Sequence, residues 1–147
     1  MSEKKAIGSR ADYKYFVPIT TRWHDNDLYG HVNNVTYYSY FDSVANHYLI
    51  HVGKLDIHHG QVIGLVVNSG CSYHAPLAFP DELEGGLRIN RLGNSSVEYG
   101  IAIFRKGEAS PAAEGHFVHV FVDRQSRRPT AMPAPMRDAF SRILAQS

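Results

Sequence analysis

The chain has 147 residues, 44% of them apolar, and a formal charge of +1 with its nine histidines neutral. That length points to one domain, and a chain of this size buries roughly 70% of its unfolded surface, enough for a core without staples. The near-neutral balance excludes a charge-driven nucleic-acid binder, the single cysteine, Cys71, excludes an internal disulfide, and no run approaches the roughly 20 apolar residues of a membrane span.

In chain order, residues 1–13 read as a polar, flexible tail and 14–147 as the folded domain. The first residues carry lysines and arginines without a long apolar run, so neither a signal peptide nor an anchor is expected. With one cysteine, a reducing cytoplasm fits. From Tyr15 the residues alternate through Val17, Ile19, Thr21 and Trp23, a strand pattern, and Pro18 pulls that strand toward an edge or a bulge. A loop over 24–32 leads to a helix from about Asn34 to Val52, with Asn33 or Asn34 as N-cap and Gly53 as its stop. Tyr38, Phe41, Ala45, Tyr48, Leu49 and Val52 share one face, and the five aromatics of this helix predict that other structure wraps it. Val62 to Tyr73 is apolar on both faces and reads as a central strand. Leu87–Leu92 and Val97–Phe104 read as a hairpin turned at Gly93-Asn94, and Ala112–Val122 as a last strand. Pro133 opens a short helix with Met136, Phe140, Ile143 and Leu144 on its apolar side. Strand, helix, four strands, helix predicts an α+β domain whose antiparallel sheet packs on one helix.

One run stands apart: Asp25-Asn26-Asp27-Leu28-Tyr29-Gly30-His31-Val32-Asn33-Asn34, directly before the aromatic helix. It holds carboxylates a short loop away from a helix N-terminus, where backbone N–H groups are unpaired and roughly half a positive charge gathers. A base beside an anion-favouring site suits hydrolysis of an acyl group. In that reading a carboxylate of the run is the base or the nucleophile, two routes the sequence leaves open. Asp25 reads as structural, bonding loop N–H groups or pairing with Arg22. Gly30 reads as a positive-φ position, and His31 as a loop histidine bonded to backbone.

The same run, with Tyr37 three residues beyond it, resembles the signature of the 4-hydroxybenzoyl-CoA thioesterase family, and the element order resembles the hotdog fold. The resemblance spans roughly residues 14–145. Val66-Val67-Asn68 and Tyr73-His74-Ala75-Pro76 also look like that family's second strand and its exit, and Asp123 with Arg127-Arg128-Pro129 like its last hairpin. It implies an acyl-CoA thioesterase with Asp27 catalytic, the backbone N–H near Asn34 polarising the thioester carbonyl, and no cofactor. It places substrate contacts at Gly30, His31 and Tyr37 in the motif and at Gly64, Val66 and Asn68 on the second strand. It also implies homodimers, often paired into tetramers, with the site at a subunit interface.

Other readings are weaker. His58-His59 and His116 with His119 lack zinc-site spacing, and positions 116 and 119 of a strand face opposite ways, so no metal is expected. Cys71 lies in an apolar strand, where a thiol is usually inert. Arg88, Arg91, Arg105, Lys106, Arg127 and Arg128 are candidates for meeting CoA phosphates. Two alternatives within the fold remain: a non-catalytic acyl-CoA-binding or assembly module, and a thioesterase acting on acyl carrier protein.

Overall fold

A computed structural model describes residues 7–145. The elements run β1 (Tyr15–Thr20), α1 (Asn34–His51), β2 (Val62–Tyr73), β3 (Glu82–Leu92), β4 (Ser96–Arg105), β5 (Ala113–Asp123) and α2 (Ala134–Arg142), in the order the sequence predicts. The strands form one sheet in the order β1-β3-β4-β5-β2, antiparallel at every step. It wraps α1, the hotdog arrangement.

The helix is buried because the sheet meets it through aromatic and aliphatic side chains. Tyr37, Tyr40, Phe41, Val44, Ala45, Tyr48 and Leu49 are buried on α1, with Tyr38 and Val52 half-buried beside them. The buried stripe is therefore wider than the predicted face. Closest approach occurs where the sheet has no side chain: a Cβ at Gly85 would overlap Val44, and one at Gly115 would overlap Phe41. On β5, Phe117, His119 and Phe121 point inward, where Phe117 meets Phe41 and Phe121 meets Phe140 of α2. Pro133 precedes the first turn of α2, and Phe140 closes that end of the core against Tyr48 and Tyr99.

Two expectations change. β2 is an edge strand, not a central one. Its two apolar faces signal that both are to be covered, which is not the same as having strands on both sides. Here Leu65, Val66 and Val67 are left 39%, 47% and 59% exposed. The N-terminal segment is not a flexible tail over all of 1–13. Residues 1–6 lie outside the described residues, but Gly8 donates its N–H to Glu114 (2.9 Å) and the Tyr13 hydroxyl reaches the same carboxylate (3.0 Å). The Arg10 guanidinium pairs with Glu84 at 2.9 Å and lies over the rings of Phe16 and Phe104. Tyr13 is buried against Phe104, so this segment covers the sheet face opposite α1. Smaller shifts follow local chemistry: β1 stops at Thr20, and Trp23 enters a 3₁₀ turn, Trp23–Asp25, that puts its ring in solvent.

His119 is 2% exposed, and burial pushes its imidazole down to about 4. The folded state thus binds this proton less readily than the unfolded chain, whose imidazole titrates near 6.5. Stability should fall on acidification between about pH 6.5 and 4, by up to about 3 kcal/mol from this residue. Urea unfolding across that window should show the decline, and His119→Phe should flatten it.

Candidate active site

The motif folds as a small hairpin in front of α1. Asn26 and Val32 form an isolated antiparallel bridge, and Asp27 donates its N–H to the His31 carbonyl at 2.9 Å. Gly30 turns the tip with φ +80°; nothing stands within 4 Å of where its Cβ would be, so backbone conformation rather than space requires glycine there. Val32 donates to the Leu77 carbonyl at 2.7 Å and the Asn26 amide oxygen accepts from Phe79 N–H at 3.0 Å, tying the hairpin to the β2–β3 connection.

Asp25 anchors this hairpin. It is 1% exposed. Its carboxylate accepts from the Arg22 backbone N–H (2.9 Å), the Arg22 guanidinium (3.1 Å) and the Tyr40 hydroxyl of α1 (2.7 Å). Its carbonyl accepts from Asn33 N–H at 2.8 Å. Burial opposes the charge, and the bonds from Tyr40 and Arg22 outweigh it, holding the carboxyl below its ordinary value.

Asn33 is the N-cap: its side-chain oxygen accepts from Val35 N–H at 2.9 Å, and its carbonyl accepts from Thr36 N–H. That leaves the N–H of Asn34, the first residue of α1, without an acceptor among the described residues. Asn34 lines a cleft of about 340 Å³ together with Val32, Tyr37, Tyr73 and the segment 74–76. The Tyr73 hydroxyl donates to the Asn34 carbonyl at 3.2 Å, and the Tyr37 and Tyr73 rings meet edge to face at 5.1 Å. Burial pushes the Tyr37 hydroxyl up to about 12 and the Cys71 thiol up to about 11, so both are neutral at pH 7. Asp27 stands in the hairpin rather than among the lining residues of this cleft. One of its carboxylate oxygens accepts from Tyr29 N–H at 2.9 Å, and the other has no partner among the described residues.

The comparisons with known proteins bear on this site. Residues 21–140 match the model of the thioesterase-like superfamily. The chain belongs to that superfamily. The crystal structure of the PA5185 protein of Pseudomonas aeruginosa is similar at 56% identity, with a TM-score of 0.95 over 97% of this chain and 99% of that one. The Bacillus subtilis protein YsmA is 25% identical over 117 residues, 80% of this chain and 78% of its own. At 18% identity, Slr0204, a 1,4-dihydroxy-2-naphthoyl-CoA thioesterase from Synechocystis, shares the fold with a TM-score of 0.76, covering 86% of this chain and 95% of its own.

Within the superfamily's fold, the predicted site residues divide into groups. Asp27, Gly30 and His31 share the hairpin; Asn34 and Tyr37 share the cleft at the start of α1. Gly64, Val66 and Asn68, spaced two apart, do not share a face. A bulge at Val67 breaks the alternation, so Gly64 and Val66 lie opposite Phe121 and His119 on the helix side. Asn68 lies opposite Val118 and hydrogen-bonds His116 (2.7 Å) on the other side. His116 and His119 indeed face apart, and no cluster of three or more metal-binding side chains occurs among the described residues. Of the basic candidates, Arg105 is engaged by Asp81 and Glu108, and Lys106 by Glu82. Sequence reasoning missed Tyr40 and Tyr73. Nothing in the spacing marks Tyr40 as the partner of Asp25, whereas the Tyr73–Pro76 stretch was visible as a motif without a role.

Tyr40→Phe should cost about 2 kcal/mol, because it strips a bond from a buried charge. The depressed Asp25 carboxyl stabilises the fold above its unfolded value near 3.9, and that stabilisation is lost as pH falls through its folded value. Raising the folded value in Tyr40→Phe should move acid unfolding to higher pH, read by circular dichroism.

Proposed function

We propose that the protein hydrolyses an acyl-CoA thioester to the free acid and CoA, as a member of the 4-hydroxybenzoyl-CoA thioesterase branch of its superfamily. The observation that carries this reading is the Asn34 N–H, without an acceptor among the described residues, on a residue that lines a cleft at the start of an 18-residue helix. A donor in that position, reinforced by the helix dipole, stabilises the oxyanion that a thioester carbonyl becomes; one such donor is worth on the order of 3 kcal/mol. Asp27 supplies the second part. With one carboxylate oxygen held by Tyr29 N–H, the other is available to take a proton from the water that attacks the carbonyl, or to attack it itself, expelling CoA thiolate and leaving a mixed anhydride that water hydrolyses to the free acid and Asp27. Gly30 and His31 set the hairpin, and Tyr37 walls the cleft.

The bare edge of β2 supports assembly. An exposed apolar strand edge pairs readily with another strand, and a second copy covering Leu65, Val66 and Val67 gives a homodimer. Leu28 and Tyr29 at the hairpin tip, 103% and 88% exposed, offer further apolar surface for a dimer of dimers. A dimer built on β2 also brings Gly64 and Val66 to a subunit boundary. No helix among the described residues is long and apolar enough to cross a membrane.

Asp27→Asn should leave the melting temperature unchanged and lower kcat for thiol release by about 10²–10⁴. Wild-type turnover in that variant removes Asp27 from the chemistry. Thiol-release assays over short, long and aromatic acyl-CoAs, with an acyl carrier protein thioester in parallel, separate the carriers; binding without release would instead identify a non-catalytic module. Val67→Lys should shift the protein from dimer to monomer in light scattering, since an edge lysine opposes strand pairing.

A further inference from the structure

The cleft at the start of α1 has two walls. Val32, Asn34 and Tyr37 form one, and the exit of β2, Tyr73 to Pro76, forms the other. The first is pinned through Asp25 and Asn33. The second runs on past the end of its ladder, because β2 pairs with β5 only as far as Tyr73 and Ala113. Beyond that point the N–H groups of His74 and Ala75 share one carbonyl, that of Ala112, at 2.8 and 3.1 Å. The far end is tied to the hairpin through the Leu77 carbonyl. Two side chains complete the hold: the Arg105 guanidinium donates to the Pro76 carbonyl at 3.3 Å, and His74 Nε2 lies 3.0 Å from Glu114 of β5.

Glu114 serves the N-terminal segment as well. Its Oε1 accepts from Gly8 N–H at 2.9 Å in addition to His74, and its Oε2 accepts from the Tyr13 hydroxyl at 3.0 Å. A carboxylate has no proton to give, so His74 carries a proton on Nε2 and donates it. Burial and the Glu114 charge push the Tyr13 hydroxyl well above its ordinary value, so it stays a donor. The segment is anchored independently of Glu114: Arg10 N–H donates to the Ala109 carbonyl at 2.9 Å, the Arg10 guanidinium pairs with Glu84, and Lys14 N–H donates to the Leu87 carbonyl at 3.0 Å. Gly8 is fitted to its place, since a Cβ there would stand 2.5 Å from Glu114 Oε2 and displace the carboxylate. The His74 and Glu114 side chains are each 20% exposed, so water competes only partly for their bond. From the sheet face opposite α1, two groups of the N-terminal segment thus aim one carboxylate at a residue of the cleft wall.

Resting on the hydrolase reading, we propose that Glu114 is a positioning residue for the acyl-CoA: held by Gly8 and Tyr13, it fixes His74 and with it the β2-exit wall of the cleft. Asp27 and Asn34 are held by other groups, in the hairpin and at the helix cap. The wall therefore serves ground state and transition state alike, and loosening it raises KM while kcat stays nearly unchanged.

The test measures thiol release from hexanoyl-CoA and benzoyl-CoA by the full-length chain and its variants. Glu114→Ala should raise KM about tenfold, the size expected for one hydrogen bond to a charged group, with kcat within about twofold of wild type. His74→Ala should do the same, and the double variant should be no worse than either single one, because both remove the same contact. Glu114→Gln should recover most of the loss, since its amide oxygen can take Gly8 and His74 while its NH₂ faces the Tyr13 oxygen. Gly8→Ala, which acts from the far side of the sheet, should raise KM in the same direction and move the amide resonances of His74 and Ala75; it carries the test should Glu114→Ala misfold. A wild-type KM in Gly8→Ala, an additive double variant, a kcat that falls as far as kcat/KM, or His74 and Ala75 amides unmoved by Gly8→Ala each overturns the proposal. Where wild type binds these esters without releasing thiol, the hydrolase reading fails, and the same tenfold loss is read in Kd. Turnover by wild type with unchanged KM in the variants overturns the positioning role alone, so the two failures are distinguishable.

Discussion

The Asp25 carboxylate is the constraint on which the rest of the site depends. A buried charge is tolerated only when its lone pairs are filled, and the groups that fill these come from two parts of the chain. Arg22 closes the end of β1, and Tyr40 reaches across from the second turn of α1. The Asp25 carbonyl then takes the Asn33 N–H, so the residue that caps the helix is held by the residue that anchors the loop. With these ends pinned, the seven residues from Asn26 to Val32 have little freedom but to close as a hairpin. The position of Asp27 in front of α1 is a consequence.

The division between the two aspartates is therefore environmental. They are two positions apart and chemically identical, yet Asp25 is enclosed and saturated while Asp27 keeps an oxygen without a partner. A saturated buried carboxylate is a poor base and a good anchor; a half-free one at a loop can act on a substrate. The helix start shows the same economy. Asn33 satisfies Val35, Thr36 bonds the Asn33 carbonyl, and the N–H of Asn34, a residue of the cleft wall, is left without an acceptor among the described residues.

The helix lies closest to the sheet at two glycines on the sheet's inner face. Gly85 and Gly115 let Val44 and Phe41 sit almost on the strands, so the middle of α1 is held close against the sheet. Grip of that kind makes the start of α1 a rigid platform, as a preorganised donor requires. It also leaves β2 as the uncovered border of the domain, where the exposed apolar side chains collect.

By itself the sequence determined the order of elements, the hairpin turn at Gly93-Asn94 and the presence of the Asp25–Asn34 motif. Those are local properties, set by periodicity, turn chemistry and neighbours within a few residues. Tertiary structure alone decided that β2 lies at the edge, because an apolar strand reads the same whether strands or another molecule cover it. It decided that Asn68 parts company with Gly64 and Val66, because one extra residue in a ladder reverses every side chain after it. It paired Tyr40 with Asp25 and Tyr99 with His119, contacts between residues 15 and 20 positions apart that no spacing announces. A histidine in an apolar strand is an unremarkable letter in the sequence. Only the packing of β4 against β5 buries it against the Tyr99 hydroxyl.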